Sequence, residues 1–279
     1  MKVGIQTAIN DPQKLAAYCH SLNVDQVCLC DAVVTTGEGP APPADVEKLV
    51  RFKGALAEHG VHLNVMFTHA FRHCERALAP PDWLRQPEGA KDLQSVLQMI
   101  QCFGEASVPA VLFYTYMRRP DSKGEESEAW KSLMDFYAAV AEGAKASNVK
   151  IATHGHFHPD YLIWNFESIH RLLEDVPNPY NGVTYDAGIL TLADSDPYRP
   201  VEAFTGRIHF AHARDVVGNW EKFEEVFLNE GDIDYPRVLR LLREAGFDGV
   251  ICPEHLGPAK PGENLEAQAV AYLQKTLGR

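Results

Sequence analysis

Basic residues are scarce in this sequence. It holds 26 Lys and Arg against 38 Asp and Glu, for a formal net charge of −12, and no run of basic residues stands out. Because nucleic acids and anionic membrane surfaces are bound through clustered Lys and Arg, neither is expected as a partner. The uninterrupted apolar runs are also too short for a membrane span, so we expect no membrane partner.

Cysteine is scarce as well, with six in 279 residues. The one close pair, Cys28 and Cys30, lacks a second pair at zinc-site spacing. We therefore expect buried free thiols, as in proteins of a reducing compartment. The opening "MKVGIQTAIND" goes straight into a strand and a turn, without the apolar stretch of a secretory signal. Both features favour a cytoplasmic protein.

Short apolar or β-branched runs alternate along the chain with longer runs that have apolar residues three and four apart. The longer runs carry helix signals: "DPQKLAAYCHSL" opens on Asp–Pro, and "PADVEKLVRFKGALAEHG" ends in glycine. Eight strands, each followed by a helix, predict an α/β fold with a single (β/α)8 TIM barrel domain over residues 1–279. A doubly wound open sheet is the alternative, but no glycine-rich dinucleotide fingerprint follows a strand. The eight predicted strands are 2–7, 25–31, 62–68, 110–117, 150–154, 182–187, 207–213 and 249–255.

Each of the last four predicted strands ends in a side chain that can bind a metal ion. In chain order these residues are His154, Asp186, His212 and Glu254. The carboxyl ends of barrel strands share the face on which active sites form, so the four are predicted to lie together. Two imidazoles and two carboxylates suit one divalent ion, Mn²⁺ first, then Co²⁺, Mg²⁺ or Zn²⁺. Taken singly, each has a simpler interpretation; Asp186, for example, is also a typical turn former.

The segments "RIHFAHARDV" and "NEGDIDYPRVLRLLREAGFDGVICPEHLG", roughly residues 205–257, resemble the C-terminal part of mannonate dehydratases. That family lies among the xylose isomerase-like barrels, together with sugar-phosphate isomerases and ketose 3-epimerases. The resemblance implies the same four metal ligands, with His255 beside them. The set is a hybrid of two branches. Dehydratases carry Cys where Asp186 stands and Asp where Glu254 stands, whereas epimerases usually carry Glu where His154 stands.

The resemblance further implies a carbohydrate enzyme, a lyase or an epimerase. It would abstract a proton next to a carbonyl or carboxylate of a sugar acid or keto sugar, through a metal-stabilised enediolate. Glu254 is the expected base, and His255 and His156 are candidates for the second acid–base role. Arg214 can hold a carboxylate by a two-point contact, although an ion pair with Asp215 or Glu221 is the simpler alternative. The residues expected to contact substrate are Tyr114, Tyr116, Arg118 and Arg214.

Other functions remain open on the same barrel. One is a sugar or sugar-phosphate isomerase that works by hydride shift, and another is a carbohydrate-binding barrel without catalysis. Phosphodiester hydrolysis is disfavoured, because it needs further ligands on the early strands, which end in "QTA" and "MFTHA", and a basic face. The expected partner is a small-molecule carbohydrate, and the chain is expected to form a homo-oligomer.

Two long connections interrupt the alternation of strands and helices, at 67–89 and 117–128. Both follow a strand at the end where barrel active sites form. Long connections in compact domains are often binding loops or lids, so we expect both to border the substrate site and close over it. Their candidate substrate contacts are Phe71, His73, Trp83 and Arg118.

Overall fold

The computed structural model describes residues 1–37, 41–193 and 196–278. Eight parallel strands close into a barrel, which confirms the predicted (β/α)8 fold, and the other four strands of the described residues form two small two-stranded sheets. In chain order the strands are β1 (Lys2–Thr7), β2 (Gln26–Cys30), β3 (His62–His69), β4 (Leu78–Ala79), β5 (Ala110–Tyr114), β6 (Tyr116–Met117), β7 (Lys150–His154), β8 (Asn181–Asp186), β9 (Ile208–Ala213), β10 (Asp215–Asn219), β11 (Lys222–Val226) and β12 (Val250–Pro253). Around the barrel the strand order is β1-β12-β9-β8-β7-β5-β3-β2.

Side-chain caps begin many of the helices around the barrel. Asp11 accepts hydrogen bonds from first-turn N–H groups of α1 (Pro12–Ser21), as the Asp–Pro start signal predicts, and Asp45 caps α2 (Val46–Glu58) in the same way. Helix α2 ends at Glu58, and Gly60 follows with φ +72°, a conformation that suits a glycine stop. The helices are α1 (Pro12–Ser21), α2 (Val46–Glu58), α3 (Pro87–Glu105), α4 (Lys123–Ser147), α5 (Phe166–Asp175), α6 (Ala187–Leu192), α7 (Arg199–Ala203), α8 (Tyr235–Glu244) and α9 (Leu265–Thr276).

The fourth predicted strand, 110–117, breaks in two. Strand β5 stops at Tyr114, and Thr115 turns its hydroxyl to the Tyr137 hydroxyl, 2.6 Å away, on the helix side. The next two residues form β6, which pairs with β4 outside the barrel. The connection 117–128 is also shorter than predicted. Ser122 caps α4, so residues from Lys123 onward are helical and their acidic side chains face the positive end of the helix dipole.

The connection 67–89 is held by packing rather than left as an open loop. The Phe71 ring is fully buried, 5.9 Å from Phe136. The buried carboxylate of Asp92 accepts bonds from Trp83 Nε1 at 2.6 Å and from the His73 backbone N–H at 2.8 Å. The prediction that Phe71 and Trp83 contact substrate is therefore wrong, because both belong to the core.

The sequence reading did not predict the antiparallel hairpin of β10 and β11, which follows β9 directly. The fully buried carboxylate of Asp215 anchors its base by accepting the N–H groups of Val216, Asn229 and Gly231, at 2.8–3.1 Å. This hairpin rises beside the carboxyl ends of the barrel strands.

The barrel interior is apolar beneath the strand ends. Its side chains include Val65, Leu112, Ala152 and Phe210, packed with the buried thiols of Cys28 and Cys252. All six cysteines are free; four of them are buried as predicted, whereas Cys30 and Cys74 are half-buried. Within the part of the chain that the structure describes, no helix is long and apolar enough to cross a membrane.

Candidate metal centre

The four predicted ligands converge at the carboxyl ends of β7, β8, β9 and β12. One possible ligand atom from each of His154, Asp186, His212 and Glu254 lies within 4.8 Å of all the others. Asp186 Oδ2 is 3.4 Å from His154 Nε2 and 3.6 Å from His212 Nδ1. His212 Nδ1 is in turn 3.1 Å from Glu254 Oε2. The strand order thus brings together the side chains that the sequence separates by up to 100 residues.

Three of these atoms are buried without a hydrogen-bond partner among the described residues: His154 Nε2, Asp186 Oδ2 and His212 Nδ1. Such atoms are rare in native proteins, and each costs about 1–3 kcal/mol when it is left unpaired. All three face one another and the Glu254 carboxylate. An ion held between them would satisfy every one, so this donor set fits a divalent metal.

Hydrogen bonds to neighbouring groups turn one atom of Asp186 and one atom of His212 toward this centre. Asp186 Oδ1 accepts the N–H of Ile189 at 2.9 Å and caps α6, which leaves Oδ2 for the centre. His212 Nε2 donates to Gln6 Oε1 at 2.9 Å, which leaves the lone pair of Nδ1 for the centre. Hydrogen bonds of this kind fix the tautomer of a metal-binding histidine.

Gln6, at the end of β1, was missed by the sequence reading. Its amide donates from Nε2 to the Tyr114 hydroxyl at 3.1 Å, and that hydroxyl donates to Glu254 Oε1 at 3.4 Å. A hydrogen-bonded chain therefore joins His212, Gln6, Tyr114 and Glu254. The only signal in the sequence was a polar side chain near the end of the first strand.

The electrostatics of the cluster favour a cation at its centre. Burial alone would raise the pKa of Asp186, but the imidazoles of His154 and His212 outweigh it and hold that pKa well below its usual range. Burial lowers the pKa of His212, but the negative charges of Glu254 and Asp186 raise that pKa by more, so the net shift is upward. Such a site attracts a proton or a metal ion, and the two compete for the same nitrogen.

Aromatic rings form the wall above the cluster. The Tyr114 ring lies 5.0 Å from His154, and on its other side it stacks on His69 at 5.1 Å. Burial and the nearby Glu254 raise the pKa of Tyr114 and of Tyr116 far above the usual value, so both remain protonated. His69, at the end of β3, is a second residue of this region that the sequence reading did not assign.

His156 belongs to the same wall. Its ring stacks on Tyr161 at 4.1 Å and meets Tyr116 edge-on at 5.4 Å. Burial, followed by the charge of His154, lowers the pKa of His156 to about 4. Because its Nδ1 accepts the backbone N–H of His158 at 3.1 Å, the neutral ring carries its proton on Nε2.

Arg214 and His255 both contact the carboxylate of Glu225, a residue for which the sequence predicted no role. Arg214 is buried, and its Nη2 donates to the Glu225 carboxylate on β11. His255 Nδ1 lies 3.0 Å from the same carboxylate. The alternative pairing of Arg214 with Asp215 or Glu221 is therefore wrong, because Asp215 is occupied by backbone N–H groups.

Arg118 stands farther out on the same side of the barrel. Its side chain is exposed, and its backbone pairs with Ala79 and Tyr161. The arrangement thus has a cluster of four ligands, three of them buried, an aromatic wall, and two cationic side chains, of which Arg214 is buried and Arg118 is exposed.

The sequence is similar to curated mannonate dehydratases. It is 32% identical over 167 residues to that of Streptococcus equi subsp. zooepidemicus, a match covering 55% of this chain and 45% of the relative. The chain spans about half the length of the curated relatives it matches.

Solved structures share the fold over nearly the whole chain. Mannonate dehydratase from Streptococcus suis serotype 2 superimposes with a TM-score of 0.79 at 17% identity, covering 99% of this chain and 92% of that one. D-psicose 3-epimerase with D-tagatose, from Clostridium cellulolyticum H10, gives a TM-score of 0.73 at 14% identity, covering 100% and 99%. The family profile described as xylose isomerase-like TIM barrel matches residues 13–276. This chain therefore belongs to the xylose isomerase-like TIM barrel family, which confirms the resemblance found in its sequence.

Proposed function

We propose that this protein is a divalent-metal-dependent carbohydrate enzyme. It would act as a mannonate dehydratase-like lyase or an epimerase, on a sugar acid or keto sugar. The observation that carries the proposal is the cluster of four possible ligand atoms within 4.8 Å, three of them buried without a partner in the described chain. The similarity to mannonate dehydratases and the shared fold with a ketose epimerase support the substrate class.

His154, Asp186, His212 and Glu254 would hold the ion. When bound, a divalent ion supplies Lewis acidity, which lowers the free energy of negative charge developing on a substrate carbonyl or carboxylate oxygen. Imidazole and carboxylate ligands favour Mn²⁺, with Co²⁺, Mg²⁺ and Zn²⁺ as alternatives.

Glu254 is the proposed base for the C–H proton. Its side chain is 15% exposed, the most open of the four ligands, so it is the carboxylate that a substrate can approach. Tyr114 holds Glu254 Oε1 and remains protonated, so its hydroxyl can donate to the base or to a substrate oxygen but cannot compete for the proton.

The second acid–base role is assigned to His255 rather than His156. A pKa of about 4 makes His156 a weak base near neutral pH, and its Nε2–H suits hydrogen bonding to a substrate oxygen. His255 has a side chain 49% exposed beside the metal ligand Glu254, where it can exchange protons with solvent.

Arg214 is the proposed contact for an anionic group of the substrate. Its Nε is buried and has no acceptor among the described residues, and a substrate carboxylate would supply one. Tyr116 and Arg118 complete the proposed contacts, the first from the aromatic wall and the second from outside it. A cytoplasmic location and a homo-oligomeric state stay predictions of the sequence.

The test joins metal analysis with a substrate screen. Purified protein is analysed for bound Mn, Co, Mg and Zn, and is then assayed against sugar acids, ketoses and 3-keto glycosides with each metal restored. We expect about one ion per chain and turnover of at least one of these compounds that stops with chelator. Metal binding and sugar binding without turnover would identify a carbohydrate-binding barrel instead.

A further inference from the structure

Glu225 bridges two residues of the proposed substrate site, Arg214 and His255. One oxygen of its carboxylate accepts from Arg214 Nη2, and its oxygens lie 3.0 Å from His255 Nδ1. Its side chain is 28% exposed, so the bridge is partly shielded from water. A carboxylate shared by a guanidinium and an imidazole fixes both groups relative to each other.

The hairpin that carries Glu225 is tied to the barrel on both sides. Glu225 stands opposite Val216, two residues after Arg214, and the buried Asp215 anchors the hairpin base. On the other side the loop after β12 packs directly on β11. A Cβ atom at Gly257, which has φ +77°, would lie 2.6 Å from the Glu225 carbonyl oxygen. Glu225 therefore has a defined position with respect to the barrel.

His255 adopts a backbone conformation that needs support. Its φ of +50° lies in the left-handed region, which a non-glycine residue adopts only where its surroundings enforce it. The contact with Glu225, 3.0 Å from Nδ1, fixes the position of the ring. It also requires the ring to donate from Nδ1, which leaves Nε2 as the nitrogen with a free lone pair.

Arg214 is held along its whole length. A Cβ atom at Gly188 would lie 2.8 Å from Arg214 Cγ, so the stem lies tightly against α6. Its guanidinium stands 5.9 Å from the Phe157 ring, and its charge lies close enough to Asp186 and His156 to act on both. Glu225 takes one end of the guanidinium, and the buried Nε–H remains for another anion.

We propose that Glu225 is a positioning residue of this site: it sets the tautomer of His255 and orients Arg214 toward an anionic substrate group. The inference rests on the proposed function and deepens it. It makes the β10–β11 hairpin the element that adapts a general metal-dependent barrel to sugar acids. The role is indirect, because Glu225 acts through the two side chains that it holds.

The test compares Glu225→Gln and Glu225→Asp with Glu224→Gln, a matched control on the same strand whose side chain is exposed. In a glutamine one of the two carboxylate oxygens is replaced by an NH₂ donor and the negative charge is lost, so it holds Arg214 and His255 more weakly than the carboxylate does. With the sugar acid found in the screen, we expect Glu225→Gln to lower kcat/KM about 10- to 100-fold, as for other residues that orient active-site groups. KM should rise for an anionic substrate more than for a neutral ketose, while kcat falls for both. Glu225→Asp should recover part of the loss, and Glu224→Gln should behave as wild type.

A second readout does not depend on turnover. Nitrogen-15 NMR of labelled histidines, with His255 assigned from the signal lost in His255→Asn, shows which ring nitrogen carries the proton when the ring is neutral. Wild type and Glu224→Gln should carry it on Nδ1, and Glu225→Gln should shift it toward Nε2 without changing bound metal. A wild-type proton on Nε2, or a Glu225→Gln variant equal to wild type in both readouts, would overturn the proposal.

The tests distinguish a failure of the proposed function from a failure of the positioning role of Glu225. If no sugar is turned over but the tautomer shifts as described, the proposed function is wrong and the positioning by Glu225 stands. If wild type turns over a sugar acid and Glu225→Gln retains full kcat/KM with an unchanged tautomer, the function stands and the positioning is wrong.

Discussion

His212 donates its Nε2 proton to Gln6 Oε1, 2.9 Å away, so in the neutral ring the nitrogen that faces the two carboxylates, Nδ1, carries the free lone pair. The same glutamine donates to Tyr114, which fixes the orientation of its amide. A residue on the first strand thus prepares a ligand on β9 before any ion binds.

Removing the hydrogen bond between Gln6 and His212 should weaken metal binding. We expect Gln6→Ala to lower metal affinity about 10- to 100-fold, because His212 can then rotate or carry its proton on the nitrogen that faces the site. Metal titration of the chelator-treated protein measures this. Gln101→Ala, on the exposed side of α3, is the control and should leave affinity unchanged. Wild-type affinity in Gln6→Ala would show that the amide has no part in the site.

The ligands themselves should be needed for metal to remain bound. His212→Ala should lose most bound metal in elemental analysis, because His212 supplies one of the four possible bonds found among the described residues. His170→Ala, on the partly exposed face of α5, is the matched histidine control and should retain the ion. A full metal complement in His212→Ala would contradict the assigned ligand set.

Asp186 both caps α6 and faces the metal centre, and its Ala and Asn variants distinguish the two roles. Its Oδ1 caps α6 and its Oδ2 faces the centre. Asp186→Ala should lose both the metal and about 1 kcal/mol of stability from the cap. Asp186→Asn can still cap the helix, so we expect it to fold with near-wild-type stability while binding metal weakly. Denaturant unfolding and elemental analysis of the two variants provide the comparison, and equal metal content in Asp186→Asn and wild type would count against Oδ2 as a ligand.

Metal should stabilise the fold, since the buried atoms of the centre lack partners in the described chain. At a free metal concentration 100 times Kd, binding to the folded state alone contributes about 2.7 kcal/mol. For a domain of this size that corresponds to a rise in Tm of about 5 °C. Differential scanning calorimetry of the chelated and reloaded protein measures the shift. An unchanged Tm would mean that the centre does not hold the added ion.

Phe71, in the 67–89 connection, is expected to stabilise the core and not to contact the substrate. Phe71 is fully buried, so Phe71→Ala should cost about 3–5 kcal/mol of unfolding free energy, measured with denaturant. Once the variant is folded, its KM for substrate should stay that of wild type, because the ring packs against Phe136 rather than facing the centre. A large rise in KM with unchanged stability would restore Phe71 as a substrate contact.

The sequence predicted the barrel and the place of its four ligands because both depend on local patterns. Strand alternation puts His154 and Asp186 at strand ends, and barrel topology gathers strand ends on one face. The partners of these residues depend on long-range contacts that no local pattern records. Gln6 meets His212 across 206 positions, and Glu225 meets His255 through a hairpin that lacks a strong strand pattern. The early end of β5 likewise depends on the Tyr137 hydroxyl on α4.

Deuterium exchange shows whether Glu254 removes a substrate C–H proton at the metal centre. The substrate found in the screen is incubated in D₂O with the metal-loaded wild-type protein and with Glu254→Gln, and product and recovered substrate are analysed by mass spectrometry. We expect wild type to incorporate deuterium at the carbon next to the carbonyl or carboxylate, and Glu254→Gln to lose this exchange far more than it loses metal. Complete turnover by wild type without deuterium in product or recovered substrate would contradict the account and favour a hydride shift between carbons.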